Sequence, residues 1–297
     1  MRCDDSASVT LISLTLSDLL GLVVLFWMGM CYNPWIIYSD VPFDTLSVVY
    51  LSGGWPKIYV SRVTSWITAF VAAERCLCIA LPLRVKTILT RRRSAYVNAA
   101  LFLLIFLMMP PIYYTTGLDW QWFPDRNKTL LGLSFTPERD GVYDAVASAN
   151  IVLAYVSFVV IVACTLVLVY VLKKQTLWRS TASAAEKSSP LSMRELRASK
   201  MVLLLTVMFL VCYLPGTALL LVMIFVPEFN KGMFYNNLFT VVWAFVHLTE
   251  ALNSSVNIFV YRGMSSRFKT VLNRMFHCAK GDPHLEIHSQ NQDKSKF

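Results

Sequence analysis

Apolar residues gather into six long runs, at about 9–31, 55–81, 95–114, 145–172, 200–226 and 237–261. Each meets the length of roughly 20 residues that a helix needs to cross a bilayer. Stretches such as ALFLLIFLMMPPIYY and IVLAYVSFVVIVACTLVLVYVL have no polar face. A core helix of a water-soluble protein would set one against its apolar stripe. The pattern predicts an all-α integral membrane protein with six spans. A different pattern follows the last run. Phe268, Val271, Leu272, Met275 and Phe276 recur at the spacing of one helix face, flanked by Arg267, Lys269 and Arg274. This predicts an amphipathic helix at 263–277 lying on the inner leaflet, followed by a disordered tail at 281–297.

Composition agrees. Of the 297 residues, 56% are hydrophobic and 15% charged, against roughly 25% charged in soluble domains. The formal charge of +9 is explained by its placement and needs no nucleic-acid partner. Nineteen of the 27 Lys and Arg fall in 82–94, 173–200 and 262–297, whereas the alternate loops 32–57, 115–145 and 227–236 hold five bases and eight acids. Lys and Arg collect in cytoplasmic loops. The basic segments and the C-terminus are therefore expected in the cytosol and, with six spans, the N-terminus as well. The sequon Asn127-Lys128-Thr129 falls in an outer loop, where a glycan acceptor has to be. A second sequon, Asn253-Ser254-Ser255, lies inside a span. The start, MRCDDSASVT, does not resemble a cleaved leader, because the apolar stretch after it is too long and carries Asp18. The seven cysteines suggest no disulfide framework. Cys278 is a palmitoylation candidate, with a free thiol as the alternative.

A charge at mid-bilayer costs about 2.5–3.5 kcal/mol, so each polar residue in a span needs a reason. Asp18 sits within LISLTLSDLLGLVVLF. In the last span Glu250, Asn253, Ser254, Asn257 and Tyr261 share one helical face, which must point into the bundle. Hydrogen bonding between helices explains one such residue; an acid facing a polar strip suggests a hydrated internal pocket. Pro215 interrupts VMFLVCYLPGTALLLV and kinks its helix, either as packing or as a lever. Lys57 and Arg75 are about 27 Å apart along one span, which puts Lys57 in the outer half and Glu74-Arg75 at the cytosolic edge. Adjacent opposite charges there can be interfacial anchors. Glu195, at the cytosolic end of the proline-bearing span, offers Arg75 a second acid, and so a two-position latch. No nucleophile–base or metal constellation suggests an enzyme. A channel or transporter is the rival class, but 227–236 is too short for a pore loop and no inverted repeat is present.

These residues resemble the signatures of rhodopsin-like (class A) G-protein-coupled receptors. Glu74-Arg75-Cys76 is similar to the family's Asp/Glu-Arg-Tyr motif, and CYLP at 212–215 to Cys-Trp-x-Pro. NIFVY at 257–261 is similar to Asn-Pro-x-x-Tyr, and LISLTLSD to the second-helix signature ending in aspartate. The wording around them is most similar to invertebrate, particularly molluscan, chemosensory or neuropeptide-type receptors. The resemblance makes the six spans helices two to seven of the family, with the first helix missing through truncation or splicing, residues 1–10 a first cytosolic loop, and 1–280 a receptor domain. Departures are visible. Tyr50 stands where the family has its disulfide cysteine and 115–145 contains none, so that loop is expected to be held by packing alone. Ile258 replaces a proline and Tyr213 the toggle tryptophan.

The resemblance implies a multi-pass plasma-membrane receptor that passes an extracellular peptide or small chemosensory ligand's signal to a heterotrimeric G protein. A non-signalling truncated isoform, acting as decoy or dimer partner, is the alternative. By the same resemblance, Arg75 is held by Glu74 and Glu195 until the sixth helix swings out at Pro215, and Tyr261 then moves inward. Asp18, Thr64, Asn253, Ser254 and Asn257 match the family's sodium ligands, all oxygen donors suited to a hard cation; a water-filled polar core is the alternative. No other cofactor is implied. The ligand pocket falls on Lys57, Ser61, Tyr213, His247 and Glu250. Lys57 there favours an acidic ligand group, unless it simply pairs with Glu250.

Overall fold

The computed structural model describes residues 2–80, 89–181, 193–226, 228–229 and 234–264. In chain order the helices are α1 (Arg2–Cys31), α2 (Pro34–Ile37), α3 (Thr45–Val49), α4 (Trp55–Ala80), α5 (Arg91–Phe106), α6 (Pro110–Thr115), α7 (Arg139–Thr181), α8 (Met193–Phe225) and α9 (Asn236–Met264). Between α6 and α7, strands β1 (Thr116–Phe123) and β2 (Lys128–Phe135) pair antiparallel.

Four segments, Ser8–Cys31, Arg91–Thr115, Arg139–Lys174 and Leu196–Phe225, are long and apolar enough to cross a membrane. The helices α4 and α9 have the length, at 26 and 29 residues, but their charged and amide side chains lower their hydropathy. Their position in the bundle accounts for this. The α4 helix packs against α1, α5, α7 and α8, while α9 lies on α8 and α1. Tyr59, Val63 and Ile67 on α4 have no exposed surface. On α9 the burial is inverted relative to a water-soluble helix: Phe245, Leu248 and Leu252 are exposed, whereas Glu250, Asn253, Asn257 and Tyr261 are buried. Lipid is as apolar as leucine, so such helices associate through packing and polar contacts rather than by hiding leucines from water.

Prolines set the breaks. Pro110 and Pro111 cannot donate to the carbonyls four residues back, so α5 ends and α6 restarts. The Tyr59 hydroxyl donates to the Met108 carbonyl in that gap, at 2.8 Å. Pro56 has the same effect ahead of α4, where Tyr50–Gly54 form a single π-helical turn. That turn lies against α1, and Gly53 is required there: a Cβ would fall 2.6 Å from Met28 Cγ. Pro215 sits inside α8. Two residues on, the Thr217 hydroxyl donates back to the Leu214 carbonyl at 2.9 Å, an arrangement that itself bends helices.

Three expectations about the loops change. Residues expected to form a first loop belong to α1, which begins at Arg2, and Thr10 is fully buried in the bundle. The basic segment after 172 continues α7 as far as Thr181, since nothing in KKQTLWRST breaks a helix. The outer loop is not held by packing alone. Its hairpin is closed by a 3-10 turn, with Asn127 in the left-handed conformation at φ 48°, which asparagine tolerates. Leu131 of β2 exchanges backbone hydrogen bonds with the segment before α3: Asp44 N donates to Leu131 O at 2.9 Å, and Leu131 N to Pro42 O at 3.0 Å. Arg126 pairs with Asp44 at 3.6 Å and Lys128 with Asp40. Of the helix proposed at 263–277, Gly263 and Met264 continue α9; the rest of it, the tail at 281–297 and Cys278 lie outside the described residues.

Candidate functional site

Three polar clusters lie among α1, α4, α5 and α9. The first, at the side expected to face out, is built on α4 and α9. Lys57 Nζ donates to Glu250 Oε2 at 2.6 Å and to Ser61 Oγ at 3.0 Å. Ser61 Oγ lies 3.2 Å from the same carboxylate oxygen. Lys57 and Ser61 are one helical turn apart, so one face of α4 presents both to α9. His247, one turn from Glu250, places Nδ1 3.7 Å from the carboxylate, too far for a hydrogen bond. Of the two sequence readings of Lys57, the geometry contains the ion pair. Tyr213 is buried on α8 and stacks on Phe209, with ring centroids 4.0 Å apart and planes at 18°.

The middle cluster joins α1 to α9. Asn257 Nδ2 donates to Asp18 Oδ2 at 2.6 Å, and Ser254 Oγ to Asp18 Oδ1 at 3.1 Å. Asp18 is 5% exposed, and among the described residues no cation lies within ion-pair distance of it. Asn253 Oδ1 is buried with no hydrogen-bond partner. Thr64 is buried on α4, its carbonyl accepting from the Thr68 hydroxyl at 2.8 Å. A buried carboxylate held by two neutral donors and accompanied by an unpartnered amide oxygen is a donor set that fits a small hard cation.

The inner cluster centres on Glu74. Its Oε2 accepts from Thr10 Oγ1 at 3.0 Å and its Oε1 from Ser94 Oγ at 2.7 Å. Asn98 Nδ2 approaches Thr10 Oγ1 at 3.4 Å. Each carboxylate oxygen thus ties α4 to another helix, α1 on one side and α5 on the other. Arg75 is 3% exposed, and its Nε has no hydrogen-bond partner. The Glu195 side chain lies outside the described residues, so the proposed second position of the latch is not on view. Tyr261 is buried against Met201 and Leu205 of α8.

Thr10, Ser94 and Asn98 escaped the sequence reading. Small polar residues at the ends of apolar runs look like interfacial filler, and only the packing of α1 and α5 onto α4 makes Thr10 and Ser94 partners of Glu74 and Asn98 a partner of Thr10. Arg139 escaped as well. It donates to the Tyr50 hydroxyl at 3.3 Å and lies over the Phe135 ring at 3.9 Å, linking the π-helical turn ahead of α4 to the end of the hairpin. Asn127 is exposed at the hairpin tip, as are Lys128 and Thr129.

Comparisons with known proteins give the chain its relatives. The chain is 24% identical over 278 residues to Neuropeptide receptor 22 of Caenorhabditis elegans, covering 90% of this chain and 61% of that protein. It is 24% identical over 268 residues to Neuromedin-U receptor 2 of Mus musculus and to that of Rattus norvegicus, covering 87% of this chain and 64% of each. The chain therefore spans less than two thirds of the length of these relatives. The model of the 7 transmembrane receptor (rhodopsin family) matches residues 2–261, which takes in all three clusters. This chain belongs to the rhodopsin family of seven-transmembrane receptors.

Proposed function

We propose that this chain is the signalling core of a peptide receptor, not an enzyme, that activates a heterotrimeric G protein. The observation that carries the reading is the family match over residues 2–261. The peptide class is supported by the relatives, two of which are named for neuromedin U and one as a neuropeptide receptor. The ligand enters between the outer ends of α4, α8 and α9, where the Lys57–Glu250 pair joins two helices. Disturbing that pair changes how α9 lies against α4, and α8 swings about Pro215. Arg75, at the inner rim, then becomes available to the G protein, and Tyr261 moves inward. The outer loops, including Asn127 as a glycan acceptor, face the extracellular medium, and the basic C-terminal segment faces the cytosol of the plasma membrane.

Asp18, Asn253, Ser254 and Asn257 would hold a sodium ion, with Thr64 beside them. Bound there, the ion neutralises the buried carboxylate and favours the resting packing of α1 against α9. The test is nucleotide exchange on purified G proteins by the chain in lipid nanodiscs, with a panel of neuropeptides that includes neuromedin U. Acceleration by one peptide is expected. A chain that reaches the cell surface and labels there at Asn127, yet accelerates exchange in response to none of the peptides or small ligands offered, would overturn the reading.

A further inference from the structure

Arg62 is the charged group of the outer region that neither the fold nor the ion pair uses. It sits half-buried on α4, one residue after Ser61. Among the described residues it forms no hydrogen bond and no ion pair, and its Nε is buried without a partner. The groups acting on it electrostatically are Glu250 of α9, Tyr213 of α8 and Tyr155 of α7. The one acid among them is already held by Lys57 at 2.6 Å and Ser61 at 3.2 Å. Tyr155 is also engaged, donating to the Thr217 carbonyl at 2.6 Å. The outer cluster therefore carries one positive charge more than it has acids to balance. A guanidinium stays charged at any physiological pH, and leaving a charge unpaired in a low-dielectric interior is costly.

We infer that Arg62 receives a carboxylate of the ligand. Its planar fork matches two carboxylate oxygens, and a single negative charge completes the balance. A neutral amide would leave the guanidinium unpaired. Lys57 is then the holder of Glu250, and Arg62 is the specificity-determining base. The inference rests on the reading of the outer cluster as the ligand site. The carboxylate belongs either to a peptide C-terminus or to an acidic side chain.

The purified chain in nanodiscs is unfolded thermally with three probes at matched ionic strength. N-acetylphenylalanine carries a terminal carboxylate, N-acetylaspartic α-amide a side-chain carboxylate, and N-acetylphenylalaninamide none. At least one acid is expected to raise the unfolding midpoint, and which one does so identifies the source; the neutral amide is expected to leave it unmoved. Arg62→Gln should weaken the response to that acid by about tenfold or more. Arg62→Lys keeps the charge but loses the fork, and should weaken it less. If Arg62→Gln does not fold, an undiminished response in Arg62→Lys overturns the inference. So does equal stabilisation by the neutral amide, or no shift with any probe. Nucleotide exchange on added G protein, with and without the neuropeptide panel, is measured in the same preparation. Exchange without a carboxylate response removes this inference alone, whereas a carboxylate response without exchange removes only the signalling reading.

Discussion

Lys57 on α4 and Glu250 on α9 lie 2.6 Å apart, with side chains only 6% and 10% exposed. Each charge is tolerable inside the bundle because the other is there. Removing one partner leaves an uncompensated buried charge, which destabilises by about 3–5 kcal/mol, whereas an apolar pair of similar volume is often neutral. Lys57→Met and Glu250→Leu should each lower the thermal midpoint sharply in detergent, and the double variant should recover most of the loss. Additive losses in the double variant would show that the two side chains do not act as a pair.

Asp18 gives the second expectation. The unfolding midpoint should rise when sodium chloride replaces choline chloride at constant ionic strength. Asp18→Asn should abolish that difference, because it removes the one formal negative charge of the middle cluster. A sodium effect of full size in Asp18→Asn would eliminate the cation site.

At the inner rim, Arg75→Ala should reduce nucleotide exchange to background without loss of cell-surface protein. Glu195→Ala should raise ligand-independent exchange if that acid restrains Arg75, and unchanged basal exchange would count against it. Ser94→Ala and Thr10→Ala each remove a hydroxyl donated to Glu74. Hydrogen bonds to charged groups are worth about 1.5–3 kcal/mol, and a stability loss of that size is expected from each, read from thermal unfolding.

The segment that leads into α3 and packs on the hairpin contains two aspartates with opposite expectations. Asp44 caps α3, accepting from Ser47 N at 2.9 Å and Ser47 Oγ at 2.6 Å. Asp44→Ala should cost about 1 kcal/mol and make residues 116–135 easier to cleave by protease. Asp40 is exposed, and the Lys128 ammonium beside it holds its carboxyl below the usual carboxylate value. A lowered value in the folded chain means a contribution present above the ordinary carboxylate range and lost as pH falls through the lowered one. Exposed pairs contribute little, so Asp40→Asn should barely change cleavage at neutral pH.

Much of this was legible in the chain itself. Runs of 20 or more apolar residues have one stable environment, and the face of α9 bearing Glu250, Asn253 and Asn257 could not face lipid. Asp18 was legible for the same reason, as a carboxylate with no business in hydrocarbon unless partnered. The partners of Glu74 were not legible. Thr10 on α1 and the pair Ser94 and Asn98 on α5 are far apart in the chain and meet only because α1 and α5 pack on α4. The hairpin was missed because Trp120, Trp122 and their neighbours sit between apolar spans and look like loop.

The sequence by itself determined the solvent, the number of long apolar runs and which residues had to turn inward, because burying or exposing a charge in lipid is a local cost that each segment bears alone. Only the tertiary structure decided which inward groups meet. Lys57 finds Glu250, 193 positions away, while Arg62, five residues along the same helix, finds none among the described residues, because partner choice depends on how whole helices cross.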